Sequence, residues 1–196
     1  MISVHCISLA NDKNSMQSDA MFTSFSFHPM TIDGKLTYIA GARLLYHFNQ
    51  HYAVGVGSFN MISRNIKADF VDDSAGTSPT LAYNFFAADF EYFFNPEDYM
   101  VFSAKSTLSL SHVSYNLIST ERTTADNYYP DYGADWFVFV EPSANITLNL
   151  TRWMRTSFGL GYRIALNGDY QYGATQFGNS ELSGFSGAIY LTLGNF

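Results

Sequence analysis

The segment TSFGLGYRIAL, residues 156–166, alternates between apolar positions and small or polar ones. The odd positions hold Ser157, two glycines, Arg163 and an alanine, whereas the even positions hold only apolar side chains: Phe158, Leu160, Tyr162, Ile164 and Leu166. A period of two is the repeat of a β-strand whose two faces meet different surroundings. The segment therefore predicts a strand with one apolar face and one small or polar face.

The same alternation, bounded by turn residues, recurs along the chain and predicts eight strands. We place them at residues 20–31, 36–48, 52–64, 81–94, 99–114, 135–150, 155–166 and 182–196. Short turns alternate with connections that are mostly long and polar, at 65–80, 115–134 and 167–181. Short turns at one end and long loops at the other are the layout of outer-membrane barrels. The predicted fold is all-β, a closed antiparallel up-and-down transmembrane β-barrel of eight strands.

The charged residues in the interiors of these strands, away from their ends, all lie on the face opposite the apolar stripe. There are six, three of each sign: Arg43, Asp89, Glu91, Lys105, Glu141 and Arg163. A soluble barrel would carry about two or three charges on each strand for solubility. An enclosed ion needs a partner, because an isolated ion away from water costs several kcal/mol. We predict a lumen charge network in which Asp89 lies nearly opposite Lys105 and Glu141 holds Arg163.

Composition and charge support this placement and exclude several classes of function. Aromatic residues make up 17% of the chain and charged residues 14%, against a usual charged share of about 25%. The net charge of −7, without any basic run, excludes nucleic acid as a partner. The single cysteine, Cys6, excludes a disulfide framework and a thiolate metal site. We predict neither a metal site nor a cofactor.

The N-terminal residues differ from the rest of the chain. Residues 1–11 combine a short apolar run with a small residue at a plausible cleavage point, but they lack the basic start of a secretory signal. We interpret residues 1–19 as a residual export signal or a disordered segment. The barrel domain is predicted to span residues 20–196.

Two stretches, EPSANITLNLTRWMRTSFGLGYRIA (141–165) and LSGFSGAIYLTLGNF (182–196), are similar to the closing strands of small outer-membrane barrels. Over residues 20–196 the layout resembles the eight-stranded barrels of Gram-negative bacteria that include the OmpA membrane domain, OmpX and OmpW. The resemblance implies an outer-membrane location, extracellular long loops, periplasmic termini, and contact with outer-membrane lipid and lipopolysaccharide. Phe196 resembles the signal read by the barrel-assembly machinery, although it is out of phase with the apolar residues before it.

His112-Val113-Ser114, near the loop end of the fifth predicted strand, carries the strongest catalytic pattern. It resembles the His-x-Ser of outer-membrane lipid A deacylases, in which a serine nucleophile and its histidine base face the lipid. Glu121 or Asp126 in the following loop would orient the histidine. Tyr115 and Asn116 depart from that motif. The alternative interpretation is an interfacial histidine among polar residues.

A narrow barrel filled by side chains favours a monomeric scaffold or loop-presenting interaction protein. Clustered exposed aromatic residues suit recognition, so the candidate contact surface consists of Tyr128, Tyr129, Asp131 and Tyr132. Three alternatives stay open. They are the lipid A deacylase, a soluble calycin-like barrel that binds a lipophile with its faces reversed, and a small channel.

Overall fold

The computed structural model describes residues 20–63, 66–67, 80–116, 134–167, 169–172 and 175–194. Its elements are β1 (Ala20–Ile32), β2 (Lys35–His47), β3 (Tyr52–Met61), β4 (Thr80–Phe93), β5 (Met100–Asn116), β6 (Ala134–Thr151), β7 (Met154–Ala165), β8 (Asp169–Tyr172), β9 (Thr175–Gly178), α1 (Asn179–Leu182) and β10 (Gly184–Leu193). Strands β1 to β7 and β10 form one closed antiparallel barrel in which β10 pairs with both β7 and β1.

The predicted eight-stranded barrel is confirmed, and the strand ends agree with the structure to within a few residues. The main difference is a small hairpin of β8 and β9, followed by the one-turn helix α1, inside the predicted loop 167–181. The last barrel strand accordingly begins at Gly184 rather than at residue 182. The described residues include no helix with the length and apolar character needed to cross a membrane.

The tight turn between β1 and β2 shows how local chemistry sets the register of the first hairpin. Asp33 and Gly34 both have positive φ angles, 51° and 66°. Positive φ at both central residues is typical of a type I′ turn, whose twist matches that of the flanking strands. The two strands then pair without interruption from Ile32 opposite Lys35 to Ala20 opposite His47.

The outer face of the barrel is apolar on every strand. Large exposed side chains include Phe25, Leu44, Val56, Phe86, Leu108, Ile146, Leu160 and Phe185. No Asp, Glu, Lys or Arg occupies an outward position in the described barrel strands. This arrangement is the reverse of the one that the soluble lipophile-binding alternative requires. An apolar exterior of this kind is accommodated by the acyl chains of a bilayer.

Candidate functional site

Arg43 lies in the middle of the lumen between two carboxylates. Its Nη1 donates to Asp89 Oδ2 at 3.1 Å, and its Nη2 lies 3.9 Å from Glu91 Oε2. All three side chains are buried. Thr107 donates to Asp89 Oδ1, and Ser103 donates to Glu91 Oε1, each at 2.6 Å. The carboxylates therefore have hydroxyl donors besides the guanidinium, which is the condition under which a buried ion pair is stable.

Lys105 belongs to the same network through Tyr190. Its Nζ donates to the Tyr190 hydroxyl and lies 4.5 Å from the centroid of the ring. The guanidinium carbon of Arg43 lies 4.1 Å from the same centroid, so one π face attracts two cations. Glu91 is opposite Lys105 in the strand ladder. Asp89, the neighbour predicted by counting from the turn, lies two pairs further along, opposite Thr107, in the next inward-facing pair.

Arg163 points into the lumen nearer the loop end, where its donors meet backbone oxygens. Its Nε donates to the carbonyl of Leu182 at 2.7 Å, and its Nη2 donates to the carbonyl of Thr31 at 2.9 Å. The guanidinium carbon also lies 5.6 Å from the ring centroid of Tyr83 and 5.4 Å from that of Phe139. These contacts join α1, β1, β4 and β6 through one side chain.

The predicted ion pair between Arg163 and Glu141 is absent among the described residues, where every ion pair within 4.0 Å involves Arg43 or Lys35. Two features account for the difference. Helix α1 places a carbonyl within reach of the guanidinium, and the strand pattern contains no sign of that helix. The ladder between β6 and β7 is also interrupted around Pro142, whose nitrogen has no hydrogen to donate.

Glu141 and Arg163 both line a small cavity in the lumen, together with His28, Lys105 and Thr107. The volume open to the centre of a water molecule is about 20 Å³. A cavity needs about 10–15 Å³ on this scale to hold one water. This cavity has room for a water molecule but not for a solute.

An apolar plug fills the loop-side part of the lumen. Its buried residues come from seven barrel strands, the segment after β3 and α1: Met30, Ile32, Ile39, Phe59, Ile66, Leu81, Tyr83, Phe85, Ala87, Val113, Phe137, Phe139, Ala165 and Leu182. Phe59 occupies the space beside Gly41, where a Cβ atom would overlap the Phe59 ring. The plug and the charge network together occupy the middle and the loop side of the described lumen.

Helix α1 is held against the loop end of the barrel by hydrogen bonds. The N–H of Asp33 donates to the carbonyl of Glu181 at 2.9 Å, and the N–H of Ala165 donates to Ser183 Oγ at 3.0 Å. The Glu181 carboxylate accepts from Ser180 Oγ and from the N–H of Gly178, both at 2.8 Å. These hydrogen bonds, with that of Ser180 the largest contribution, lower the pKa of Glu181.

Arg155 is a further lumen cation, and it is absent from the six residues of the predicted charge network. It is buried near the turn end of β7, opposite Thr192 of β10. Its odd number places it on the same face as Arg163, which is the signal that could have identified it. With Arg155 included, the inward charges no longer balance, because four cations face three carboxylates in the described lumen.

The candidate catalytic residues are only partly described. His112 projects from the outer face of β5, and its ring centroid lies 4.9 Å from that of Trp136. Ser114 is buried. The proposed orienting residues, Glu121 and Asp126, lie outside the described residues. So do the candidate contact residues and the final residue: Tyr128, Tyr129, Asp131, Tyr132 and Phe196.

Within the part of the chain that the structure describes, no group of three or more His, Cys, Asp or Glu side chains has the geometry to hold a metal ion.

No protein-family model matches the chain. No curated protein matches it either. Solved structures do match: Neisserial surface protein A has a TM-score of 0.59 at 9% identity, over 91% of this chain and 97% of that one. The N-terminal β-barrel domain of Pseudomonas aeruginosa OprF has a TM-score of 0.54 at 11% identity, over 92% and 98% of the two chains.

A third similar structure is Ail, the attachment invasion locus protein of Yersinia pestis, in complex with the heparin analogue sucrose octasulfate. Its TM-score is 0.50 at 10% identity, and the match covers 90% of this chain and 96% of that one. The chain thus has the fold of the small eight-stranded outer-membrane barrels. At these identities the similarity defines the fold and leaves the activity open.

Proposed function

We propose that this protein is an outer-membrane barrel with a closed lumen that acts as a rigid scaffold for its long loops. The filled lumen carries the proposal. Arg43 and its two carboxylates occupy the middle, and the apolar plug occupies the loop side. A pore needs a continuous water-filled path, whereas small barrels are filled by side chains. The apolar exterior supports a membrane location, and the similar structures come from bacterial surface or outer-membrane barrel proteins.

The proposed orientation follows from the connections. Short turns and both termini would lie on the periplasmic side and the long loops outside the cell, as in other outer-membrane barrels. We further propose that the protein is a monomer, contacts outer-membrane lipid and lipopolysaccharide, and is inserted by the barrel-assembly machinery. The loop that contains Tyr128 and Tyr132 would present the contact surface.

The membrane location is tested by refolding residues 20–196 with and without detergent micelles and comparing the gel mobility of boiled and unboiled samples. We expect a heat-modifiable band only with micelles. A folded monomer in plain buffer would overturn the location.

The closed lumen is tested separately by planar-bilayer recordings, in which we expect no single-channel conductance. Steady conductance steps would make the barrel a channel.

The scaffold role is tested by deleting residues 122–133. We expect the shortened protein to keep its heat-modifiable band but to lose adhesion to cells or to partner proteins. The matched control replaces only the four candidate contact residues with serine and leaves the loop length unchanged. Unchanged adhesion in both variants would overturn this loop as the contact surface.

A further inference from the structure

The outward-facing wall carries a row of amide and imidazole side chains that its apolar surface does not explain. Asn60 is opposite Asn84, Asn84 is opposite His112, and His112 is opposite Trp136. Among the outward side chains that the structure describes on the eight barrel strands, these are the only asparagine and histidine residues. The register brings all three into one row across β3, β4 and β5, which we call the polar row.

The polar row lies beside apolar groups near the loop ends of its strands. Phe86 and Leu110 follow on the side toward the turns, and both are largely exposed. Ile62, also exposed, lies on the loop side of Asn60. Trp136 ends the row with half of its surface exposed, and such residues gather where acyl chains meet headgroups. The polar row is therefore placed at the boundary between these two regions.

The side chains of the polar row have unused hydrogen-bonding capacity. No hydrogen bond joins the side chain of Asn60, Asn84 or His112 to another residue in the described part of the chain. A polar group that faces an apolar medium without a partner carries a desolvation penalty. Neighbouring strands lie about 4.8 Å apart, so the row spans about 10 Å, a distance that a single lipid headgroup covers.

The chemistry of the row defines the kind of lipid. Each asparagine amide both donates and accepts hydrogen bonds, and imidazole does the same. The described outer wall offers no Lys or Arg, the side chains that bind phosphate best. The row therefore matches neutral amide and hydroxyl groups better than a phosphate.

We propose that Asn60, Asn84 and His112 bind an outer-leaflet lipid whose acyl chains are joined to its headgroup through amides, with hydroxyl groups close by. The N-acylated glucosamine of lipopolysaccharide has this chemistry, whereas a phosphatidylglycerol with two ester-linked chains lacks the amide donors. The Trp136 ring would pack against the sugar at the end of the row. This inference rests on the proposed outer-membrane location, and it gives His112 a binding role.

The experiment compares lipid retention by the folded barrel in nanodiscs that contain either lipopolysaccharide or phosphatidylglycerol in a phosphatidylcholine background. Native mass spectrometry counts the lipids that stay bound to the barrel after the barrel is released from the nanodisc. We expect the wild-type barrel to retain lipopolysaccharide and the triple variant N60L/N84L/H112L to retain about tenfold less, which corresponds to about 1.4 kcal/mol. The control S58V/S106V replaces two other outward polar residues and should retain as much as wild type.

Three results would overturn the proposed site: equal retention of both lipids by the wild type, unchanged retention in the triple variant, or a wild-type dimer that the triple variant abolishes. The last would make the row an interface between two copies of the chain. The heat-modifiable band is recorded for every variant. A result that contradicts the proposed membrane location is therefore distinguished from one that contradicts the lipid site. If the triple variant does not fold, Asn84→Ala alone is used, with partial loss of lipopolysaccharide as the expected result.

Discussion

Two buried arginines in the same lumen are stabilised by different means. Arg43 contacts two carboxylates, at 3.1 Å and 3.9 Å. Arg163 donates instead to the carbonyls of Leu182 and Thr31. Both side chains are almost fully buried. Burial alone therefore does not reveal what satisfies an inward charge.

The difference follows from what each part of the lumen contains. In the middle, facing strands supply only side chains, because their backbone groups are used in the ladders of the sheet. At the loop end, α1 and the last residues of β1 leave carbonyl oxygens that a guanidinium can reach. A carbonyl carries only a partial charge, so the Arg163 guanidinium faces two carbonyl dipoles and the rings of Tyr83 and Phe139 instead of a carboxylate.

The largest expected effect is the loss of Arg43. In Arg43→Met, Asp89 and Glu91 stay buried without the guanidinium, and removal of one partner from a buried ion pair costs about 3–5 kcal/mol. Urea unfolding of the refolded barrel in micelles would measure the change. We expect R43M/D89N to recover part of the loss, because one of the two unpaired charges is then removed.

The control for this prediction is the exposed pair of Lys35 and Asp33, whose charged atoms lie 3.8 Å apart. Lys35→Met should change the free energy of unfolding by no more than about 1 kcal/mol, as is usual for surface pairs. A similar loss in R43M and K35M would contradict the buried network.

The second-largest expected effect comes from introducing an arginine on the outer face of β7, opposite the face that carries Arg163. Leu160 is 76% exposed on the outer wall, three residues before the inward-facing Arg163. Leu160→Arg should destabilise the folded barrel by about 2–4 kcal/mol if this position lies near the middle of the bilayer. Leu160→Met is the matched control and should be nearly neutral. Unfolding in lipid vesicles is the measurement, and a neutral L160R would argue against the lipid-facing assignment.

The third-largest expected effect is the loss of Arg163, which tests whether this arginine is stabilised by carbonyls where Arg43 is stabilised by carboxylates. Arg163→Met removes charge-assisted hydrogen bonds to two carbonyls, and because the methionine keeps part of the packing we expect a total loss of about 1.5–3 kcal/mol. Glu141→Gln should have little effect on stability in either the wild-type or the R163M background. If the two substitutions instead show strong coupling in a double-mutant cycle, the two side chains form an ion pair after all.

The sequence was sufficient to predict the features that depend on the two-residue alternation of β-strands. The strand set, the apolar exterior and the inward direction of Arg43 and Arg163 all follow from alternation. The partner of Arg163 does not, because a four-residue helix has no periodicity to detect. The polar row also needs the register across three strands, since Asn60, Asn84 and His112 are far apart in the chain.

The smallest expected effect is at Glu181, whose backbone neighbour Leu182 supplies the carbonyl for Arg163. Glu181→Gln should loosen α1 slightly at neutral pH, measured as faster hydrogen exchange of the Ser183 amide, which donates to Asn179. Because the pKa of Glu181 is lowered in the folded state, its stabilisation is present above the ordinary pKa of glutamate and is lost as the pH falls through the lowered value. Wild type and E181Q should therefore converge in acid. Equal exchange at neutral pH would mean that α1 is held by its backbone contacts alone, and Arg163 would then keep its Leu182 acceptor without help from the carboxylate.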